Sequence, residues 1–495
     1  MQEKLKYIWR TYPSSLAGAL DRVASGRGHV FYLSGGLVRD GLLDRPCSDL
    51  DITVPESGVN WARDFAGATG GSFVMLDPAE DVARVAWQGL TIDFSGFREA
   101  AASIEDDLLK RDFTINALAV RCRSTGAGSF ECGEIIDPAA GLADLAAGMI
   151  RCVSPGCFRK DPLRLLRAYR FAAELGFAVD PATEDVIAGQ PGLISRVAGE
   201  RVASEMDRIM ISERAANSVE KMKASGLLLS LFPELSAGAG MEQPVPHHLD
   251  VLDHALLTLR CLESILSEPA RYFPAHTESL TLYLDSGRRR KCLKWAALFH
   301  DLGKPQTFKI REGERPGITF YNHDQVGAGL FAGMAKRLRW SRADTDRVAR
   351  FIRMHMRPFH LNNARRHNRL TPRAYLRLVK AIGPEFPGLF LIALADEQAA
   401  CGPGKPDFVE RELVELFAET EHVYNETIMP VLSGPRLVTG HDLKDLGLQP
   451  GPVYSRVLTA LEQERVEGRV LTRADALAWV VEYLARQETG QDIGN

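Results

Sequence analysis

FYLSGGLVRDGLLDRPCSDLDITV, residues 31–54, is the stretch that decides the fold. An aromatic, apolar run leads into Gly35-Gly36, a short helix-compatible segment follows, and a second run carries Asp49 and Asp51 between Leu50 and Ile52. The pattern reads as strand, turn, helix, strand. Alternate residues of a strand share a face, so the two carboxylates stand side by side, about 7 Å apart along the chain. Like charges that close repel unless a cation lies between them. Mg2+ accepts carboxylate oxygen and keeps open positions for phosphate, and two such ions clamp the attacking and leaving oxygens of a phosphoryl transfer. A lone D-x-D is most often a solvated strand edge, and a lone Gly-Gly a turn. The ordered combination is the specific signal.

Working outward, HVFYL (29–33), LDITV (50–54), RVAW (84–87) and LTIDF (90–94) read as strands, and the last offers Asp93 as a third carboxylate. Gly35 and Gly36 let backbone N–H groups approach a triphosphate, and Arg39, one turn into the following helix, can reach a phosphate oxygen. RLLRAYRFAAEL has helical spacing and stops at Gly176. Residues 245–400 are helical and hold most of the 12 histidines, CGPGKPD (401–407) reads as a boundary, and 408–495 as a charged helical tail broken by LGLQPGP.

Composition narrows the class. A chain of 495 residues is too long for one core and suggests roughly three or four domains. A net charge of −4 argues against a uniformly basic nucleic-acid coat. No apolar run approaches the ~18 residues of a membrane span, so no membrane partner is expected. The opening MQEKLKYIWRTYPSS lacks the apolar core of a signal peptide. The 8 cysteines form no C-x-x-C pair, so neither a zinc site nor a disulfide framework is expected, and the cytoplasm is the expected location.

GGLVRDGLLDRPCSDLDI resembles the head motif of the class II tRNA nucleotidyltransferases and bacterial poly(A) polymerases, in the DNA polymerase beta superfamily. The likeness continues through LLKRDFTINALAV (108–120), IIDPAAGLADL (135–145), RKDPLRLLRAYRFAAELGF (159–177), ERVASEMDRI (200–209) and TGHDLKDLGLQPGP (439–452). The resemblance implies an α+β chain, with a small mixed α/β head at 1–150, a helical neck at 151–240, a helical body at 241–400 and a tRNA-binding tail at 401–495. It implies Mg2+ on Asp49 and Asp51, with Asp93 as the third acid, and nucleotide contacts from Gly35, Gly36, Arg39, Arg111, Asp112 and Asn116. Asp161 and Arg164 would read the base. A carboxylate accepts from the amino group shared by cytosine and adenine while a guanidinium donates to the ring nitrogen. Uracil and guanine mismatch both, at about 1–3 kcal/mol per unpaired group. Arg167 and Arg170 continue that face toward phosphates. Asp161 followed by Pro162 is also a good helix start. The family has Glu where Lys160 stands, which puts an acid role there in doubt.

The segment FSGFREAAASIEDDLLK between Asp93 and Arg111 is short. Members that add only two cytidines resemble this chain in that respect. The expected reaction joins CMP from CTP to the tRNA 3′ end, with ATP as a second substrate only in a full CCA enzyme and otherwise a separate A-adding enzyme as partner. His254, His300-Asp301, His323, His355 and Asp396 follow the order of an HD-type phosphohydrolase domain, a donor set suited to a transition metal. His247, His248, His360 and His367 read as structural. Basic clusters RRRK (288–291), KRLRW (336–340) and RRHNR (365–369) could follow RNA phosphates or be plain solvated surface.

Overall fold

The computed structural model describes residues 12–47, 49–244, 247–313 and 317–488; residues 1–11 of the opening segment read for a signal peptide, and Ser48 of the acid motif, lie outside them. The chain forms two compact units, divided between Pro233 and Glu234.

The first unit is built on a seven-stranded sheet: β1 Val30–Ser34, β2 Asp49–Thr53, β3 Ser72–Asp77, β4 Val82–Trp87, β5 Leu90–Ser95, β6 Ala119–Ser124 and β7 Phe130–Ile136, in the order β3-β4-β5-β2-β1-β6-β7. β2 and β5 pair in parallel; the other neighbours are antiparallel. All four strands read from the sequence are present. β3 was not anticipated, because it is an edge strand exposed along most of its length and so carries little apolar alternation. β6 and β7 were not anticipated either; only Ala119 and Val120 of β6 overlap the motif at 108–120.

The period of two does the positioning. Leu50, Ile52, Ile92 and Phe94 are buried against Leu16 and Leu20 of the helix Ser14–Ser25 and Trp61 and Phe65 of the helix Gly58–Thr69. Their strand neighbours Asp49, Asp51 and Asp93 must therefore face the other way, and Asp51 pairs with Asp93 in register. Beyond the sheet, helix Leu163–Leu175 buries Leu165, Leu166 and Tyr169 and packs on the helices Gly199–Ile211 and Ala215–Ala224. Gly176 ends it at φ 74, a left-handed position that glycine holds without strain.

The second unit is helical apart from the small hairpin Lys309–Arg311 and Gly317–Thr319. Val251–Ser267, Gly287–Phe299, His323–Arg337, Arg342–Met354 and Phe386–Ala399 surround its main core. Residues 401–407 link that core to the helix Val409–Val423 within the same unit. A smaller core, with Leu443, Val457, Leu461 and Val480, holds the C-terminal helices. Pro372–Ala399 is long and apolar enough to cross a membrane, contrary to the hydropathy reading, but 78% of its apolar window is buried among the other helices.

Several side chains of the basic clusters have protein partners. Arg288 and Lys291 bond Asp344, and Arg290 donates to the carbonyls of Leu284 and Leu266. Arg365 and Arg366 pair with Glu415 and Glu412, and Arg337 with Glu234. These pairs tie helices together, while Arg288, Arg337 and Arg366 remain exposed.

Candidate active site and candidate metal centre

In the first unit the sheet's open face and the Leu163 helix enclose a cavity of about 530 Å3. Of the residues singled out for nucleotide chemistry, Gly35, Gly36, Arg39, Asp51, Asp93, Arg111, Asp112, Asn116, Asp161, Arg164, Arg167 and Arg170 all line it. Asp49 lines an adjoining cavity together with Asp51 and Asp93. The spacing argument thus brings these residues together, although they span three segments of the chain.

The turn into the short helix Gly36–Leu42 places the Gly36 N–H on Asp51 Oδ2 at 3.2 Å. Gly35 has φ 64, and a Cβ there would lie 2.8 Å from Arg111 Nη1 and 3.1 Å from Asp51 Oδ2, so no other residue fits. Burial pushes the Asp51 carboxyl above the usual carboxylate range; Arg111 opposes that push and Asp93 adds to it. Repulsion of this kind is what a divalent cation relieves, and the donor set, Asp49 exposed beside half-buried Asp51, is all hard oxygen as Mg2+ requires. Asp93 is held by both nitrogens of an Arg84 fork, at 2.7 and 2.8 Å, so it would share its charge between that arginine and an ion.

The arginines are positioned before any ligand arrives. Arg111 donates to Ser34 Oγ at 2.9 Å and Thr53 Oγ1 at 3.0 Å and pairs with fully buried Asp107. Burial and the neighbouring Arg98 bring its guanidinium down to about 10. Asp112 lies under Arg167 (2.6 and 2.9 Å) and accepts from Asn116 Nδ2 at 3.1 Å. Burial alone would raise that carboxyl, yet Arg167 and Asn116 hold it well below its ordinary value. Arg39 bonds Asn116 Oδ1 at 2.6 Å and Asp40. Arg170, 2% exposed, stacks 3.8 Å over Phe171 and pairs with Glu205 and Glu174. Arg39, Arg167 and Arg170 therefore already have protein partners, and phosphate must compete with them.

Asp161 lies just before the helix, in extended conformation. Its Oδ1 accepts from the Leu163 N–H at 3.2 Å, the capping role that Asp-Pro favours, while Oδ2 takes Arg201 at 3.2 Å. Arg164 donates to the carbonyls of Lys110 and Arg111 at 3.4 Å. Lys160 forms an ion pair with Glu99 at 2.7 Å. Arg84, Arg98, Asp107 and Glu205 were not anticipated; a charge inside the apolar run RVAW was the one available signal, for Arg84.

The second unit gathers a different set. His254, His300 and Asp396 have ligand atoms within 4.8 Å of one another, as do Asp301, His323 and His355. The motif FHDLGK does not lie within a helix as expected. His300 caps the helix Gly287–Phe299 and Asp301 falls in the turn after it, which swings both side chains inward. Nδ1 of His300, His323 and His355 each meets the carbonyl three residues back, at 2.8, 2.7 and 2.7 Å. Carbonyls accept only, so Nδ1 of each ring carries a proton, and a neutral ring then presents its lone pair at Nε2. Two such Nε2 atoms, of His323 and His355, stand 3.1 Å apart. Two lone pairs repel there without a shared cation, and about 3 Å is the separation of adjacent nitrogen ligands with metal–nitrogen bonds near 2.1 Å. The residues present thus fit a transition metal.

Burial lowers the His300 imidazole, but Asp301 and Asp396 outweigh it and lift it to about 10, while burial with His300 and His323 beside it drives His355 down to about 3. Lys304, which closes the FHDLGK segment, reaches Asp301 Oδ2 at 2.5 Å and Gln243 at 2.6 Å. His247, read as structural, packs edge-on to His254 and lines the same 590 Å3 cavity as Asp301, His323 and Asp396.

Comparison with known proteins identifies the domains that carry the two clusters. Residues 31–151 match the poly A polymerase head domain, 176–238 the probable RNA and SrmB-binding site of polymerase A, and 251–396 the HD domain. An A-adding tRNA nucleotidyltransferase of Deinococcus radiodurans is 32% identical over 90% of this chain and 94% of its own length. A CC-adding tRNA nucleotidyltransferase of Geobacter sulfurreducens is 31% identical over 98% and 97%. The fold matches the Thermotoga maritima CCA-adding enzyme complexed with tRNA, with a TM-score of 0.61 at 20% identity over 95% of both chains. The chain thus belongs to the tRNA nucleotidyltransferases, with a poly(A) polymerase head and an HD domain in the same polypeptide.

Proposed function

We propose that the chain adds two CMP residues from CTP to the 3′ end of tRNA, without a nucleic-acid template, and stops there. The observation that carries the reaction is the convergence of Asp49, Asp51 and Asp93 with an arginine-lined cavity. Asp49 and Asp51 would hold Mg2+, which when bound lowers the pKa of the attacking 3′-hydroxyl and neutralises charge on the leaving pyrophosphate. Gly35 and Gly36 leave room for the triphosphate, and Arg111 faces it from a fixed position. Asp112 suits the ribose hydroxyls. Asp161 and Arg164 read the pairing edge of the base, and Asn116 and Arg167 keep Asp112 ionised and oriented. The division into head, neck, body and tail at about 150, 240 and 400 belongs to the same reading.

The restriction to cytidine is supported by the segment after Asp93. Arg98 pairs with buried Asp107, Lys110 donates to the carbonyls of Arg98 and Glu99, and Glu99 reaches Lys160 beside the base-reading Asp161. A segment tied at both ends gives the pocket one setting. Identity alone does not choose, since the relatives include both A-adding and CC-adding enzymes. Incubation of tRNA lacking its 3′ end with CTP and ATP, separately and together, is the test. Addition of two cytidines and nothing more is expected. A terminal adenosine would refute the restriction, and extension of a tRNA already ending in CC by ATP alone would mark an A-adding enzyme.

A second reading concerns the HD site. The paired three-residue clusters and the cavity beside them support metal-dependent phosphoester hydrolysis. Opening of a nucleoside 2′,3′-cyclic phosphate to a nucleoside monophosphate, or release of phosphate from a phosphomonoester, lost in His300→Ala, would establish it.

A further inference from the structure

The acid cluster does not sit at the bottom of one cavity; it stands between two. Beside the nucleotide cavity a second, of about 680 Å3, opens on the Asp49 side. Gly36, Asp51 and Asp93 line both. Asp112, Asp161 and Arg164 line the first and not the second, whereas Asp49, Arg45 and Arg214 line the second and not the first. In-line displacement needs the attacking and leaving oxygens on opposite sides of phosphorus. Two substrates must therefore reach the same acids from two directions.

We propose that the second cavity receives the 3′-terminal segment of the RNA, and that Arg45 and Arg214 hold its last phosphates. The inference rests on the nucleotidyltransferase reading and adds the route by which the acceptor strand enters. Both guanidinium groups are anchored at the C-terminal end of the Leu163 helix, from opposite sides in sequence. Arg45 Nη1 donates to the Glu174 carbonyl at 3.1 Å. Arg214 lies over Gly176, where a Cβ would come within 2.9 Å of its Cζ, so the missing side chain gives the guanidinium its place. A helix C-terminus carries partial negative charge, and two arginines there remove a repulsion that a polyanion would otherwise meet. Glu174 in the same wall is matched by Arg170 and Arg208, and Asp40 by Arg39. Both Arg45 and Arg214 remain exposed, fixed at one edge and open to a ligand at the other. Arg214 also falls within the 176–238 stretch that matches the RNA-binding family model.

The experiment measures KM for truncated tRNA at saturating CTP, and KM for CTP at saturating tRNA, in wild type, Arg45→Ala, Arg214→Ala, the double variant and the double Arg→Lys variant. Each alanine should raise KM for RNA roughly tenfold while KM for CTP stays within about twofold. The double alanine variant should also flatten the dependence of log KM on log salt by ~1.4, the amount for two single-strand phosphates. The lysine variant should recover part of the RNA affinity. A rise in KM for CTP with RNA unaffected would hand the cavity to the triphosphate and overturn the inference. Variants indistinguishable from wild type would overturn it too. A wild-type protein that extends no RNA would instead sink the function reading itself.

Discussion

The two sites handle charge in opposite ways. In the first unit a wide cavity brings fixed arginines to face anions, and the exposed or half-buried acids are left for a hydrated ion. In the second unit His254, His300, Asp301 and His355 are at most 2% exposed, and buried lone pairs converge on one point. In the proposed reading the first would let a large polyphosphate and a second substrate meet, and the second would hold a small cation out of solvent. The difference teaches that a metal site can be a temporary meeting place or part of the core, and that exposure of the ligands separates the two.

Breaking one site should therefore leave the other intact. Asp51→Asn should cut nucleotide addition on the order of 10^3-fold, several kcal/mol of lost charge stabilisation. Its melting temperature should hold or rise, because the carboxyl's raised pKa marks an unfavourable charge; a primer-extension assay beside a thermal melt checks both, and undiminished extension would break the scheme. Next in size, His300→Ala should lower affinity for the bound transition metal at least ~100-fold, measured by metal content after dialysis. Nucleotide addition should change by less than about twofold; a parallel loss of addition would show that the sites are not separable.

A smaller effect sharpens the reading of the base. Arg164→Ala should reduce the preference for CTP over UTP by about 10–100-fold, mainly through kcat/KM. If the preference survives, Arg164 serves only the carbonyls it already bonds.

Acid and base distinguish the sites further. In chelator-treated protein, His355 binds its proton in the unfolded state near 6.5 but in the folded state only near 3, so its contribution is present above 6.5 and is lost as pH falls toward 3. His300 runs the other way: its folded value, about 10, exceeds 6.5, so its contribution is full below 6.5 and disappears as pH rises through 10. The melting temperature of the metal-free protein should thus peak near neutrality, and a flat profile from pH 5 to 10 would contradict both shifts. The smallest effect belongs to the basic clusters: Arg366→Ala should cost under about 1 kcal/mol and leave the salt dependence of RNA binding unchanged, since Glu412 already takes that charge.

Much of the first site was legible because strand periodicity and motif order act locally. Asp49 and Asp51 had to share a face once Leu50 and Ile52 were buried. The histidine cluster was legible only by resemblance, since its members are scattered from 254 to 396 and no short-range spacing joins them. What was missed has a common cause. Arg84, Asp107, Glu205 and Lys304 act by meeting a charge brought close by folding, and a charged residue in sequence looks the same whether it meets solvent or a partner. The basic clusters show the same ambiguity: Arg288, Arg337 and Arg366 stay exposed and also pair with Asp344, Glu234 and Glu412.

By itself the sequence determined the strand–glycine–helix–strand unit, the common face of its two acids and the stop at Gly176, because each depends on backbone geometry within a few residues. Tertiary structure alone decided that Asp93 lies beside Asp51 and under Arg84, that the acids stand between two cavities, and that the imidazoles of His323 and His355 aim at one point. Those facts rest on distances between residues far apart along the chain. Such distances are set by how sheet and helices bury their apolar faces, and no local pattern encodes them.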